Sequence, residues 1–458
     1  MPSSGTFTTS TASTARSAVG RSVAGRSIAG RGTSGRGADL PAWPLFLLFA
    51  GFPLWWVTGL AAFAVILTAV PMLALLIQRG RVALPPAFWL WIAFLIWACA
   101  AAMELSSGTR MIGFGVRFSN YLGSTVVFLY VYNARQRLTD RVVLRALVLF
   151  FAFVVFGGYL GLLLPHGSLH TPAESLLPIN IAQNEYVHSL VHPSFAEVQQ
   201  PYGSPRAFYR PSAPFPYTNS WGCNVALLVP LVIAAIALAR KRSTRLVPLA
   251  LLAAACLPAF ATLNRGMFLA IGILLGYGAL RLALRGHLVP LITIVAGGLL
   301  GIAVAVYTGV LADLQTRLHY SQTNLGRQTI YREAFDGAVQ SPIFGHGAPQ
   351  PSQTLSVSVG TQGQVWNVMY SYGFVALAFF LGWFVIAMLL SWRAGNQAKL
   401  WMHAGLFVCC ITFFYYGYDG TQLTVAMVTA ALALRPASRE AQVQRFGDPA
   451  ARSLHSWR

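Results

Sequence analysis

Charge is scarce in this sequence. Only 10% of its 458 residues are Asp, Glu, Lys or Arg, and just twelve are acidic. With 56% of the chain hydrophobic, that scarcity excludes an ordinary soluble domain and points to a polytopic membrane protein. Cysteine is rare as well. Cys99, Cys223, Cys256, Cys409 and Cys410 lie in or beside apolar runs with no C-x-x-C, so neither a disulfide framework nor a metal site is expected from them. The nine histidines show no metal-binding spacing. His166, His170, His188, His192 and His319 fall in loop stretches, while His287, His403 and His455 lie near basic segments. No internal duplication is visible, which weighs against inverted-repeat transporters.

What the chain has in quantity is apolar runs. Spanning a bilayer takes about 17–25 residues. Such runs occur near 43–58, 59–77, 86–104, 112–132, 142–164, 218–239, 246–263, 266–284, 288–309, 365–392, 400–417 and 421–435. The expected fold is therefore all-α, a polytopic membrane protein with about twelve transmembrane helices.

Residues 1–40 are a low-complexity stretch of Ser, Thr, Gly, Ala and Arg, with Arg16, Arg21, Arg26, Arg31 and Arg36 recurring every fifth position. That composition cannot bury a core and has no signal-peptide pattern. It reads as a disordered basic cytoplasmic tail resting on anionic lipid. The membrane domain is expected over 41–435, and 436–458 as a second cytoplasmic tail.

The positive-inside rule then sets an orientation. With both termini inside, 24 of the 32 Lys and Arg residues fall in inner segments, whereas eight of the twelve acidic residues fall outside. The formal charge of +20 is thus placed to meet membrane lipid, not nucleic acid. Only two connections are long, 165–217 and 310–364, and both are expected outside. Loops that are long on one side only are where function is expected.

The second long connection holds GRQTIYREAFDGAVQSPIFGHGAPQPSQTLSVSVGTQGQVWNVMYSYG, residues 326–373. It opens as an amphipathic helix with Ile330, Tyr331, Ala334, Phe335, Ala338 and Arg327 on one face, and Arg332, Glu333 and Asp336 opposite. Ser341-Pro342 ends the helix, and Gly345, Gly347, Pro349 and Pro351 mark an irregular loop. An arginine on the buried face needs a partner, and substrate is the expected one. His346, between two glycines, is either a surface turn residue or a functional group.

Two further arginines stand out. Arg210 lies in RAFYRPSAPFPYTNSWG, just before a span. It could be an interfacial anchor with Tyr209, Phe215, Tyr217 and Trp221 as an aromatic belt, or a ligand contact. Arg265 lies in TLNRG, a short outer turn between two apolar runs. Such a guanidinium either snorkels to headgroups or offers a two-point phosphate site.

Three stretches together resemble a family. YRPSAPFPYTNSWG is similar to its "R..G.F..pN..g" lead into a mid-chain span, TLNRGMFLA to its "SRgg" hairpin. GRQTIYREAFDGAVQSPIFGHGAP with GTQGQVWNVMYSYGFVAL is similar to its "gR…w..a…SPi.G.G…HN.yl….G..Gl" signature. This is the O-antigen ligase and polymerase superfamily of bacterial membrane glycosyltransferases. The resemblance implies a GT-C-like, metal-independent enzyme without a cofactor. It would move a polyprenyl-diphosphate-linked glycan onto a glycan or lipid acceptor at the outer face of the cell's inner membrane.

The resemblance puts Arg210 and Arg265 on the donor diphosphate, with Asn219 and Arg327 on the binding side. At the position of the family's base histidine this chain has Gln362. Gln362 can orient an acceptor but cannot take its proton, so His346 is the first candidate base and Glu333 the second. A reading from another class is a non-catalytic transporter or lipid-linked-glycan-binding protein. It would need polar groups at membrane mid-depth, and Arg117 is the main charge there.

Overall fold

A computed structural model describes residues 39–178, 185–200, 207–307, 309, 323–355 and 357–436. The described residues all belong to one compact unit. The expectations for the N-terminal tail, for His319 and for 437–458 fall outside the described residues.

The described chain is mostly helical. The helices are α1 (Trp43–Phe49), α2 (Phe52–Thr58), α3 (Ala64–Arg79), α4 (Trp89–Ala100), α5 (Gly108–Asn133), α6 (Asp140–Leu163), α7 (Pro172–Leu176) and α8 (Glu185–Val191). A two-stranded antiparallel sheet follows, β1 (Ala196–Gln199) with β2 (Phe208–Pro211). Then come α9 (Thr218–Leu238), α10 (Arg242–Ala261), α11 (Arg265–Ala283), α12 (Val289–Tyr307), α13 (Thr323–Gln340), α14 (Gln364–Leu390), α15 (Gln397–Thr412) and α16 (Gly420–Leu434).

Among the described residues, six helices are long and apolar enough to cross a membrane: Ala61–Arg79, Asp140–Leu163, Thr218–Leu238, Arg242–Ala261, Arg265–Ala283 and Gln364–Leu390. The first expected span, 43–58, is not one helix. The chain breaks at Ala50-Gly51, and Pro44 and Pro53 each start a seven-residue helix. α5 has the length, 26 residues, but carries Arg110, Arg117 and Asn120. α15 and α16 are 16 and 15 residues long.

Of the six long apolar helices, α9 is the most enclosed, packed by α6, α10, α11 and α15. Its Trp221 is fully buried and donates from Nε1 to the Val154 carbonyl (3.0 Å). Phe215 is buried too, so these two rings are core and not belt, whereas Tyr209 and Tyr217 remain exposed. A second aromatic centre joins α4, α5 and α14, where Trp91 and Phe94 meet Phe380, and Trp383 meets Phe128 edge-on. Where the first turn of α6 meets the ends of α15 and α16, Asp140 pairs with Lys399 (3.0 Å) and Arg435 (3.2 Å). One carboxylate is thereby shared between two buried cations, offsetting one of their two charges.

α14 bends at Gly373, whose φ of 82° lies in the left-handed region. The 342–347 segment docks into that bend. Phe374 N–H donates to the Pro342 carbonyl, and the N–H groups of His346 and Gly347 donate to the carbonyls of Tyr370 and Ser371. A Cβ on Gly373 would come within 2.3 Å of the Ile343 oxygen, and one on Gly345 within 2.5 Å of the Tyr370 oxygen. Glycine is required at both places for close backbone approach.

Candidate functional site

The turn between α10 and α11 is built by its own side chains. Thr262 Oγ1 donates back to the Ala259 carbonyl (2.7 Å), and Leu263 adopts a left-handed φ of 48°. Asn264 Oδ1 then caps α11 by accepting from Met267 N–H (3.3 Å). The same Oδ1 accepts from Tyr416 (2.7 Å), and Asn264 Nδ2 donates to the Thr218 carbonyl (3.3 Å). Asn264 therefore ties this turn to the start of α9 and to the 413–419 segment. Arg265 is the first residue of α11 and stands half-exposed beside that joint.

Arg210 reaches the turn from the sheet. β1–β2 register sets Glu197 opposite Arg210, so the two side chains share a face. Arg210 Nη1 lies 3.5 Å from Glu197 Oε1 and 3.3 Å from Gln199 Oε1, and its Nε–H donates to the Thr262 carbonyl (2.8 Å). Glu197 Oε2 also accepts the Thr218 N–H, the first of α9 (3.1 Å). Arg210 is only 3% exposed. Burial pushes its pKa down, Glu197 and Tyr416 oppose that, and the charges of Arg327 and Arg265 push it down further. Three expected binding residues from three separate segments, Arg210, Arg265 and Arg327, are thus within electrostatic reach of one another. Asn219 is half-exposed on the first turn of α9, between Thr218 and Ser220.

α13 presents Arg327 one turn before Tyr331. The Tyr331 ring stacks on Trp366 (4.5 Å), and its hydroxyl donates to the Gln362 carbonyl (3.0 Å). Gln362 is therefore close to the Arg327 end of α13. The buried stripe of α13 differs from the expected one: Ile330, Ala334, Gly337 and Ala338 are buried, while Phe335 is 49% exposed. Rotation of the stripe away from Phe335 half-buries Glu333, whose Oε1 accepts from Thr354 (2.6 Å).

His346 lies towards the far end of the same helix. Its Nε2–H donates to the Gly337 carbonyl (3.0 Å), and its ring packs on Tyr370 (4.7 Å between centroids). Gly337 is ten residues beyond Arg327, about 15 Å along the helix. The tight turn at Gly345 and Gly347 seats His346 as a packing residue under α13.

No family model matches this chain, and no curated protein matches it. The geometry of the site therefore carries the functional reading.

One group on the same scaffold was given no role by the sequence motifs. Asp419 precedes α16, in the segment held by Gln364, whose Oε1 accepts from Tyr418 N–H (3.1 Å) and whose Nε2 donates to Tyr121 (3.0 Å). The Asp419 side chain is accessible to solvent yet surrounded by protein, and it hydrogen-bonds Ser220, next to Asn219. Desolvation by the surrounding protein raises its pKa from the ordinary aspartate value, with Arg117 and the Ser220 bond opposing. A hint was present in YYGYDGTQ, where Asp419 is the sole charge between two apolar helices.

Proposed function

We propose that this chain is a membrane glycosyltransferase of the O-antigen ligase/polymerase type. In this reading it has twelve spans with both termini cytoplasmic and a GT-C-like fold. It acts at the extracytoplasmic face of the inner membrane and moves a polyprenyl-diphosphate-linked oligosaccharide onto a glycan or lipid acceptor. The observation that carries the proposal is the convergence of Arg210, Arg265 and Arg327, each from a different one of the three resembling stretches. Clustered guanidiniums repel one another; Glu197 pairs with Arg210, and a bound diphosphate would add further compensation.

The acceptor hydroxyl attacks the anomeric carbon of the first donor sugar. The bond from that carbon to the diphosphate oxygen breaks, and its electron pair leaves with the polyprenyl diphosphate. Arg265 and Arg327 stabilise the growing negative charge, and Arg210 holds the turn that aims Arg265. The hydroxyl proton goes to a carboxylate, and Asp419 is the group whose access and raised pKa suit it best. His346, hydrogen-bonded to Gly337, and Glu333, hydrogen-bonded to Thr354, are less suited.

Gln362, standing where the family places its histidine, favours a second reading: a protein that binds lipid-linked glycan without turning it over. Reconstitution with a polyprenyl-diphosphate glycan and candidate acceptors separates the two. Acceptor-dependent release of polyprenyl diphosphate supports the enzyme. Saturable binding without release supports the second reading.

A further inference from the structure

The segment before β1 gathers three metal-ligating side chains that sequence spacing kept apart. His170 and Glu174 are four residues apart at the start of α7, and His192 follows α8. Backbone pairing brings them together. Leu169 N–H donates to the Pro193 carbonyl, Phe195 N–H to the Gly167 carbonyl, and Ser168 bridges Ser194 antiparallel. Thr171 Oγ1 donates to the Val191 carbonyl (2.5 Å). The two arms of this clasp are therefore fixed relative to one another before any ligand arrives.

Within the clasp, Glu174 Oε2 lies 3.3 Å from His170 Nδ1 and 2.9 Å from His192 Nδ1. The three ligand atoms all fall within 4.8 Å of one another. For metal–ligand bonds of about 2.0–2.1 Å in a tetrahedron, neighbouring ligand atoms stand about 3.3 Å apart. The two carboxylate–imidazole distances are already close to that. The His170 and His192 rings are perpendicular at 4.1 Å between centroids, so both Nδ1 atoms face the carboxylate without the rings stacking.

His192 Nε2 lies 2.8 Å from Ser168 Oγ. Without metal, the Glu174 carboxylate accepts from His192 Nδ1–H and the serine hydroxyl donates to Nε2. A bound cation would displace the Nδ1 proton, and Nε2–H would then donate to the same serine. Metal-binding histidines are held in this way, with the ring nitrogen away from the metal tied to a fixed acceptor. His188, one turn before His192, stacks on its ring (4.9 Å) and closes one flank. His170 remains 83% exposed, which leaves the opposite flank open to solvent.

We propose that His170 Nδ1, His192 Nδ1 and the Glu174 carboxylate form a binding site for one divalent transition cation of the zinc class, completed by water. Two imidazoles and one carboxylate select such an ion over calcium or magnesium, which take oxygen ligands. The site is a staple and not part of the transfer chemistry. It joins the two arms immediately ahead of β1, the strand whose Glu197 holds Arg210. The proposal does not depend on the glycosyltransferase reading.

The test uses the full chain in detergent, purified on a tag without histidine, stripped with chelator and titrated with Zn2+ by calorimetry. Metal content after desalting is measured in parallel by mass spectrometry. One equivalent per chain is expected for the wild type, together with a rise in melting temperature. His170→Ala, whose side chain is exposed, should keep the apo melting temperature yet bind at least about 100-fold more weakly. Ser168→Ala should weaken binding about 10-fold. Sub-stoichiometric zinc in the wild type, or equal binding by wild type and His170→Ala, overturns the site and leaves only a histidine–glutamate hydrogen bond.

Discussion

Arg210 and Thr262 are joined by a 2.8 Å hydrogen bond from guanidinium Nε to backbone carbonyl, across 52 residues of sequence. The bond runs from the sheet to the turn that presents Arg265. The two arginines therefore differ in role. Arg210 is committed to protein partners, while Arg265 stands half-exposed at the head of its helix.

Arg210→Met is therefore expected to act first on stability. It leaves the buried Thr262 carbonyl without its donor, a loss of about 1–3 kcal/mol. A fall of several degrees in melting temperature is the expected readout. An unchanged melting temperature with lost donor binding would instead make Arg210 a direct substrate contact.

Arg265→Lys should behave differently. It keeps the charge but gives up the planar two-point donor, and about 1–3 kcal/mol of lost charge-assisted bonding slows transfer about ten- to a hundredfold. Melting temperature and membrane insertion should match the wild type. Wild-type release of polyprenyl diphosphate by this variant would assign Arg265 to lipid headgroups.

Asp419→Asn should lower turnover about 10²- to 10⁴-fold with donor binding preserved. The base works ionised, so wild-type turnover should fall as pH drops through its raised pKa, and the variant should lose that acid limb. The same shift has a stability sign. A carboxyl raised in the folded state binds more protons there than when unfolded, so stability decreases as pH rises from the ordinary aspartate range through the raised value. At neutral pH the asparagine variant should therefore melt at a higher temperature than wild type. A variant that melts lower and turns over normally would make Asp419 a structural partner of Ser220.

His346→Ala should cost about 1–2 kcal/mol of stability through the lost Gly337 bond and Tyr370 packing, with turnover largely kept across pH 6–8. Gln362→His is its counterpart. A sharp gain of activity in that variant would show that the native chain lacks an efficient base and would remove Asp419 from that role.

The apolar runs made the membrane helices legible, because a bilayer demands length and composition that no loop imitates. α6, α9, α10, α11 and α14 stand within a few residues of the expected spans. The break at Ala50-Gly51 was hidden because hydropathy does not register a missing helical turn. On α13 an ideal helical wheel placed Phe335 inside. The wheel placed Ile330, Ala334 and Ala338 correctly, but contact with α14 buries Gly337 and leaves Phe335 out, which a wheel drawn without neighbours cannot know. Arginines were easier to single out than Asp419. A cation on the side poor in cations is conspicuous, whereas Asp419 gains meaning only from Ser220 and Arg117, distant in sequence. His170 and His192 were hidden for the same reason, since only the ladder between 167–169 and 193–195 makes them neighbours.

The bend at Gly373 sets how this protein can open. Segment 342–347 is threaded into α14 by main-chain bonds at Tyr370, Ser371 and Phe374, with no room for even one added carbon at positions 345 and 373. Peeling that segment away would break several backbone bonds at once, so it behaves as a wall. Under the proposed function, a long glycan chain would pass by another doorway. Residues 351–355, by contrast, are tied to α13 by a side-chain bond, from the Thr354 hydroxyl to Glu333.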